Sequence, residues 1–104
     1  MKYFYLIIIT KEQIKISSNL DLLYINDNFT LLDDHHILYN NETYEFEYLI
    51  YSNLIDVVYN KEYMILKEDN IPITNFYYQT SIDNIYYITE DNLINKINEI
   101  IENE

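Results

Sequence analysis

The chain contains no glycine. Turns that need a positive backbone φ must therefore be built from the next most tolerant residues, asparagine and aspartate. These cluster at Asn26-Asp27-Asn28, Asp33-Asp34, Asn40-Asn41, Asn60-Lys61, Asp69-Asn70 and Asp83-Asn84. Between the clusters lie short runs rich in Ile, Tyr, Phe, Val and Leu, the residues that favour strands. The spacing predicts strands near 2–9, 13–17, 22–25, 29–32, 37–39, 43–51, 55–59, 63–67, 75–79 and 84–88. Two hairpins are expected, 37–39 onto 43–51 through Asn40-Asn41 and 55–59 onto 63–67 through Asn60-Lys61. Leucines at 20–24 and 49–55 leave a helical alternative open for those two runs. The missing glycine also excludes a Walker loop, a dinucleotide fingerprint, a nucleophile elbow and an EF-hand turn.

The stretch TYEFEYLIY at 43–51 is the strand that the others are expected to surround. Strict alternation sends Tyr44, Phe46, Tyr48 and Ile50 to one face and Thr43, Glu45, Glu47, Leu49 and Tyr51 to the other. Glu45 and Glu47 then lie about 6.6 Å apart along the strand. The apolar run Tyr3 to Ile9 reads as a buried strand, because it is too short to span a bilayer and lacks a small-residue cleavage site. Pro72, the single proline, suits an edge strand.

The period changes at the C-terminus. Thr89 precedes Glu90, Asp91 and Asn92, an N-cap followed by an acidic first turn. Leu93, Ile94, Ile97, Ile100 and Ile101 share one helical face, with Asn95, Lys96, Asn98, Glu99 and Glu102 opposite. The expected fold is one α+β domain over residues 1–104: a mainly antiparallel sheet built from hairpins, with a C-terminal amphipathic helix packed on it.

Eighteen acidic residues against six lysines give a formal net charge of −12. That field opposes direct binding to nucleic acid or to an anionic membrane, and favours a basic protein partner. The absence of cysteine excludes a disulfide framework and thiolate metal ligands, which suits a cytoplasmic location in a host cell. Asp33-Asp34-His35-His36 is the one run with metal or acid–base chemistry in reach. Adjacent residues on a strand face opposite ways, so a polar turn with aspartates bonding local N–H groups is the favoured reading. No catalytic residue, metal ligand or cofactor is assigned, and enzyme activity is not expected.

Thirteen tyrosines admit two accounts. Half-buried rings are ordinary strand residues, and tyrosine is also enriched at protein interfaces. Pairs at Tyr77-Tyr78 and Tyr86-Tyr87 should place one ring on each sheet face. The carboxylates likewise read either as a solvated surface or as a docking surface, since −12 exceeds the magnitude of roughly 2 to 8 that solubility requires.

Isoleucine, asparagine and tyrosine dominate, while alanine, arginine and tryptophan are absent, a bias of AT-rich genomes. Together with small size and strong acidity, this overall character resembles small phage-encoded anti-defence proteins, the anti-CRISPR inhibitors and DNA mimics. The resemblance implies a stoichiometric inhibitor that binds a basic nucleic-acid-binding host protein such as an RNA-guided nuclease. The contact residues expected here are Glu42, Glu45, Glu47, Glu62, Glu68, Tyr44 and Tyr48. The alternative is a non-enzymatic structural or regulatory interaction module, a homodimer being one form of it.

Overall fold

A computed structural model describes residues 1–11, 20–52, 57–59, 65–69 and 71–102. The strands are β1 (Lys2–Ile9), β2 (Leu22–Ile25), β3 (Phe29–Asp33), β4 (His36–Tyr39), β5 (Glu42–Ser52), β6 (Val57–Tyr59), β7 (Lys67–Glu68), β8 (Ile71–Pro72) and β9 (Ile85–Ile88). Helix α1 (Glu90–Glu102) follows. The class is the expected one, a sheet with a C-terminal helix packed on it.

β5 is the central strand. One of its edges pairs with β1 along nearly its whole length, Lys2 against Tyr44 through Ile9 against Tyr51. The other edge is shared: β4 takes Glu42 to Glu45, and β9 takes Leu49 to Ser52. β2 lies outside β1, and β3 and β6 lie outside β4, giving the order β2-β1-β5-β4-β3-β6 with β9 on β5. The pairings are mixed rather than mainly antiparallel. β1–β2, β1–β5, β3–β6 and β5–β9 are parallel, and only β3–β4 and β4–β5 are antiparallel within this sheet. The physical reason is burial on both faces. Leu6, Ile7, Ile8 and Ile9 are all buried, and a continuous apolar run is how a parallel strand reads.

The β4–β5 hairpin turns through Asn40 (φ 52°) and Asn41 (φ 65°), as the glycine-free turn chemistry requires. Asp69 (φ 50°) serves the β7–β8 hairpin in the same way, and Pro72 sits in that two-stranded ribbon. The expected strand at 13–17 and the hairpin through Asn60-Lys61 fall on residues outside the described ones. β6 itself pairs with β3 in parallel.

Residues 75–79 form a turn instead of the expected strand. The Asn75 side-chain oxygen accepts from the backbone N–H of Tyr77 (2.8 Å) and Gln79 (3.1 Å). That local bonding replaces a strand ladder. Gln79 keeps only an isolated bridge to Tyr86.

Two apolar clusters flank the sheet. One holds Ile7, Ile9, Ile25, Phe29, Leu31, Ile37, Phe46, Leu49, Tyr51 and Ile85, with Ile65 packed among them. The other joins Leu6, Ile8, Ile50, Tyr86 and Ile88 to Leu93, Ile97 and Ile100 of α1. The sheet curls around the first cluster. Thr30 pairs with Leu38, and Leu38 with Thr43, next to Glu42 at the start of β5, yet the ring of the adjacent Phe29 lies 5.8 Å from Tyr51 near the far end. A straight β5 would separate Glu42 from Tyr51 by about 30 Å.

Candidate binding face

Alternation breaks once along β1 and β5, at Tyr5 and Glu47. The ladder pairs Phe4 with Phe46 and then Leu6 with Tyr48. Tyr5 N–H donates instead to the Asp21 carbonyl (2.8 Å). As a result Phe4, Tyr44 and Phe46 pack into the cluster away from the helix, while Leu6, Tyr48 and Ile50 pack into the helix-side cluster. Tyr44, Phe46, Tyr48 and Ile50 therefore do not share one face, contrary to strict alternation.

The break has a chemical consequence: it brings Tyr48 to the same side as Glu45 and Glu47. Glu45 is the ladder partner of Tyr3, and the Glu47 carboxylate lies close to the Tyr3 hydroxyl. Partial desolvation, then the negative charges of Glu47, Glu45 and Asp21, raise the Tyr3 pKa above its ordinary value. Next along this face Tyr5 meets Tyr48 edge-on at 5.4 Å, and Tyr48 meets Tyr86 at 6.3 Å. Burial pushes the Tyr86 hydroxyl upward, helped by Tyr48, Glu99 and Asp83 and opposed by a hydrogen bond with Gln79. Tyr5, Tyr48, Tyr86, Lys96, Glu99 and Ile100 line a cavity of about 100 Å³ at the edge of α1.

Lys96 differs from the amphipathic expectation. It is only 5% exposed, with its ammonium 4.7 Å from the Tyr86 ring, 5.9 Å from the Tyr77 ring and 3.3 Å from Glu99 Oε1. Ile94, expected on the buried stripe, is 49% exposed. The helix has rolled so that a paired lysine stem faces the tyrosines, an arrangement that suits a long side chain with an apolar body.

The predicted contact residues thus separate. Glu45 and Glu47 lie near Tyr3 on the helix-side face, with Asp21 close by, and Tyr48 lies on the same face against Tyr5 and the edge of α1; sequence reasoning did not single out Tyr3, Tyr5 or Asp21. Glu42 stands apart. It accepts from the Tyr44 hydroxyl (2.7 Å), which, aided by Lys2 and the N-terminal amine, holds its pKa below the usual carboxylate range. Tyr44 packs against Phe4, 6.0 Å away, in the opposite cluster. Glu68 lies on the separate β7–β8 ribbon, and Glu62 is outside the described residues. Tyr86 and Tyr87 do divide between the two faces, whereas Tyr77 and Tyr78 sit in the turn.

Asp33-Asp34-His35-His36 is the β3–β4 turn. Asp33 Oδ1 accepts from the His35 backbone N–H (2.8 Å) and from His36 Nδ1 (2.7 Å). His35 Nδ1 donates to the Phe46 carbonyl (3.0 Å). Asn84 Nδ2 then bridges the carbonyls of Asp34 (2.6 Å) and Glu47 (3.0 Å), filling the gap on the β5 edge where β4 ends and β9 begins. Among the described residues, no three His, Asp or Glu side chains gather as a metal site. Among the same residues, no helix is long and apolar enough to cross a membrane.

Comparison with protein-family models, with curated proteins and with solved structures gives no match for this chain.

Proposed function

We propose that the chain is a non-catalytic, stoichiometric inhibitor from a phage or mobile element. It acts by covering a basic nucleic-acid-binding surface of a host defence nuclease, such as an RNA-guided effector. The observation that carries this reading is the acidic patch on the helix-side face, where Asp21, Glu45 and Glu47 lie near the half-exposed Tyr3, beside the Tyr5–Tyr48 ring pair. Carboxylates there steer a positively charged partner. Tyrosine rings supply contact area at low entropic cost. The net charge of −12 extends the attraction beyond the contact itself.

The test is affinity purification with the tagged full chain from a low-GC bacterial host, followed by titration of the recovered nuclease. Glu45→Lys/Glu47→Lys should weaken that affinity at least tenfold and restore nucleic-acid binding by the nuclease. Unchanged affinity after the double reversal would instead favour an interaction module that docks through apolar surface.

A further inference from the structure

Phe76 is 99% exposed, yet it is not carried on a loosely held loop. Asn75 and Gln79 lock the turn beneath it. Besides the two bonds that the Asn75 side-chain oxygen accepts, Asn75 Nδ2 donates to Gln79 Oε1 (2.7 Å) and Gln79 Nε2 donates to the Asp83 carbonyl (2.9 Å). Backbone bonds run from Asn75 N–H to the Gln79 carbonyl, from Tyr78 N–H to the Asn75 carbonyl, and from Tyr87 N–H to the Tyr78 carbonyl, each at 3.1 Å. Tyr78 adopts φ 66°, a left-handed conformation that is sterically costly for a bulky side chain. Among the described residues, every other positive φ belongs to asparagine or aspartate. Strain and hydrogen bonds are thus committed to a turn whose tip adds nothing to either cluster.

We propose that residues 75–79 are a preformed aromatic anchor, with Phe76 entering an apolar pocket on the same positively charged protein surface that the acidic face engages. This rests on the function proposed above and extends the interface along the molecule. Tyr77, 65% exposed, lies over the Lys96 ammonium, which also faces Tyr86, so the turn is continuous with the tyrosine row. Charge selects the occupant. Glu68, Asp69 and Asp83 are exposed on the elements flanking the turn, with Lys67 offsetting one of them. A second copy would bring its own −12 against this one, whereas a lysine- and arginine-rimmed pocket is complementary. A rigid ring presented in its bound geometry loses little freedom on docking.

The experiment places the photo-crosslinker p-benzoylphenylalanine in the full chain instead of Phe76 or, separately, instead of Glu47. Both proteins are expressed in a low-GC bacterial host, irradiated, and their adducts mapped by mass spectrometry. The expected result is the same basic protein on both probes, with the position-76 adduct in an apolar pocket bordered by lysine or arginine. Phe76→Ala should then weaken affinity for that protein at least tenfold, with an unchanged melting temperature because the ring is fully exposed. If the position-47 probe labels a basic protein that the position-76 probe misses, or if Phe76→Ala costs less than tenfold, the anchor is overturned and the acidic-face reading survives. A position-76 adduct on a second copy of this chain, or on a protein without a basic pocket, also overturns it. Labelling of a basic protein by position 76 alone overturns the shared surface proposed here together with the acidic-face reading. No adduct at either position ends both.

Discussion

Asp33 is held by the turn that it shapes. Partial burial raises its pKa, but the hydrogen bonds from the His35 N–H and the His36 ring outweigh that, and the carboxyl sits below its ordinary value of 3.8. A depressed carboxyl pKa stabilises the fold fully above the unfolded value, and the contribution disappears as pH falls through the lower folded value. Asp33→Asn keeps an oxygen for the His35 N–H while removing the charge. Its urea midpoint should fall below wild type near pH 6, and the two midpoints should converge as the pH is lowered beneath 3.8. A gap that stays constant over that range would mean that the charge contributes nothing. Asn84 matters at the same scale for another reason. Its amide bridges the Asp34 carbonyl in the β3–β4 turn and the Glu47 carbonyl on β5. The sequence marks it only as part of the Asp83-Asn84 turn cluster, because its bridging partners are 37 and 50 residues away.

The elements show which signals can be read without coordinates. β1, β2, β5 and the Asn40-Asn41 hairpin were legible because each rests on neighbours in sequence: an apolar run, an alternation, and two residues that tolerate positive φ. Parallel pairing was not read, although the continuous apolar run of β1 is its signal, because the identity of its partner strands depends on distant faces. The 75–79 turn was hidden because two adjacent tyrosines favour a strand, whereas one Asn75 amide decides for a turn. The binding face was only half legible. Glu45, Glu47 and Tyr48 are visible in the chain, but the break in alternation that unites them is a property of two strands together. Helix α1 gives the sharpest test of docking. Ile97 is fully buried against the sheet, so Ile97→Ala should cost about 3 kcal/mol from lost burial and the cavity left behind. Ile94→Ala, at a half-exposed position, should cost less than about 1 kcal/mol. Chemical denaturation of the pair measures the contrast, and equal losses would show that the helix packs through a different face.

For the whole molecule, excess negative charge acts on folding and on binding with opposite signs. Twelve uncompensated charges on 104 residues repel one another in the compact state more than in the expanded one. Salt screens that repulsion, so the melting temperature should rise between about 20 mM and 500 mM sodium chloride as the Debye length falls below about 10 Å. Under the proposed function, the same screening weakens long-range attraction to the basic partner, and association should slow over the same range. In the proposed complex, contacts made by Phe76 or by tyrosine rings are apolar, and salt leaves them intact. The residual affinity at high salt therefore reports the anchor, and the salt-dependent part reports the carboxylates. Glu45→Lys/Glu47→Lys should flatten the salt dependence while leaving the high-salt affinity nearly unchanged, whereas Phe76→Ala should lower the affinity equally at every salt concentration. Melting curves and association rates across one salt series separate these terms. A binding rate indifferent to salt in the unmodified chain would remove electrostatic steering from the mechanism, whatever the stability does.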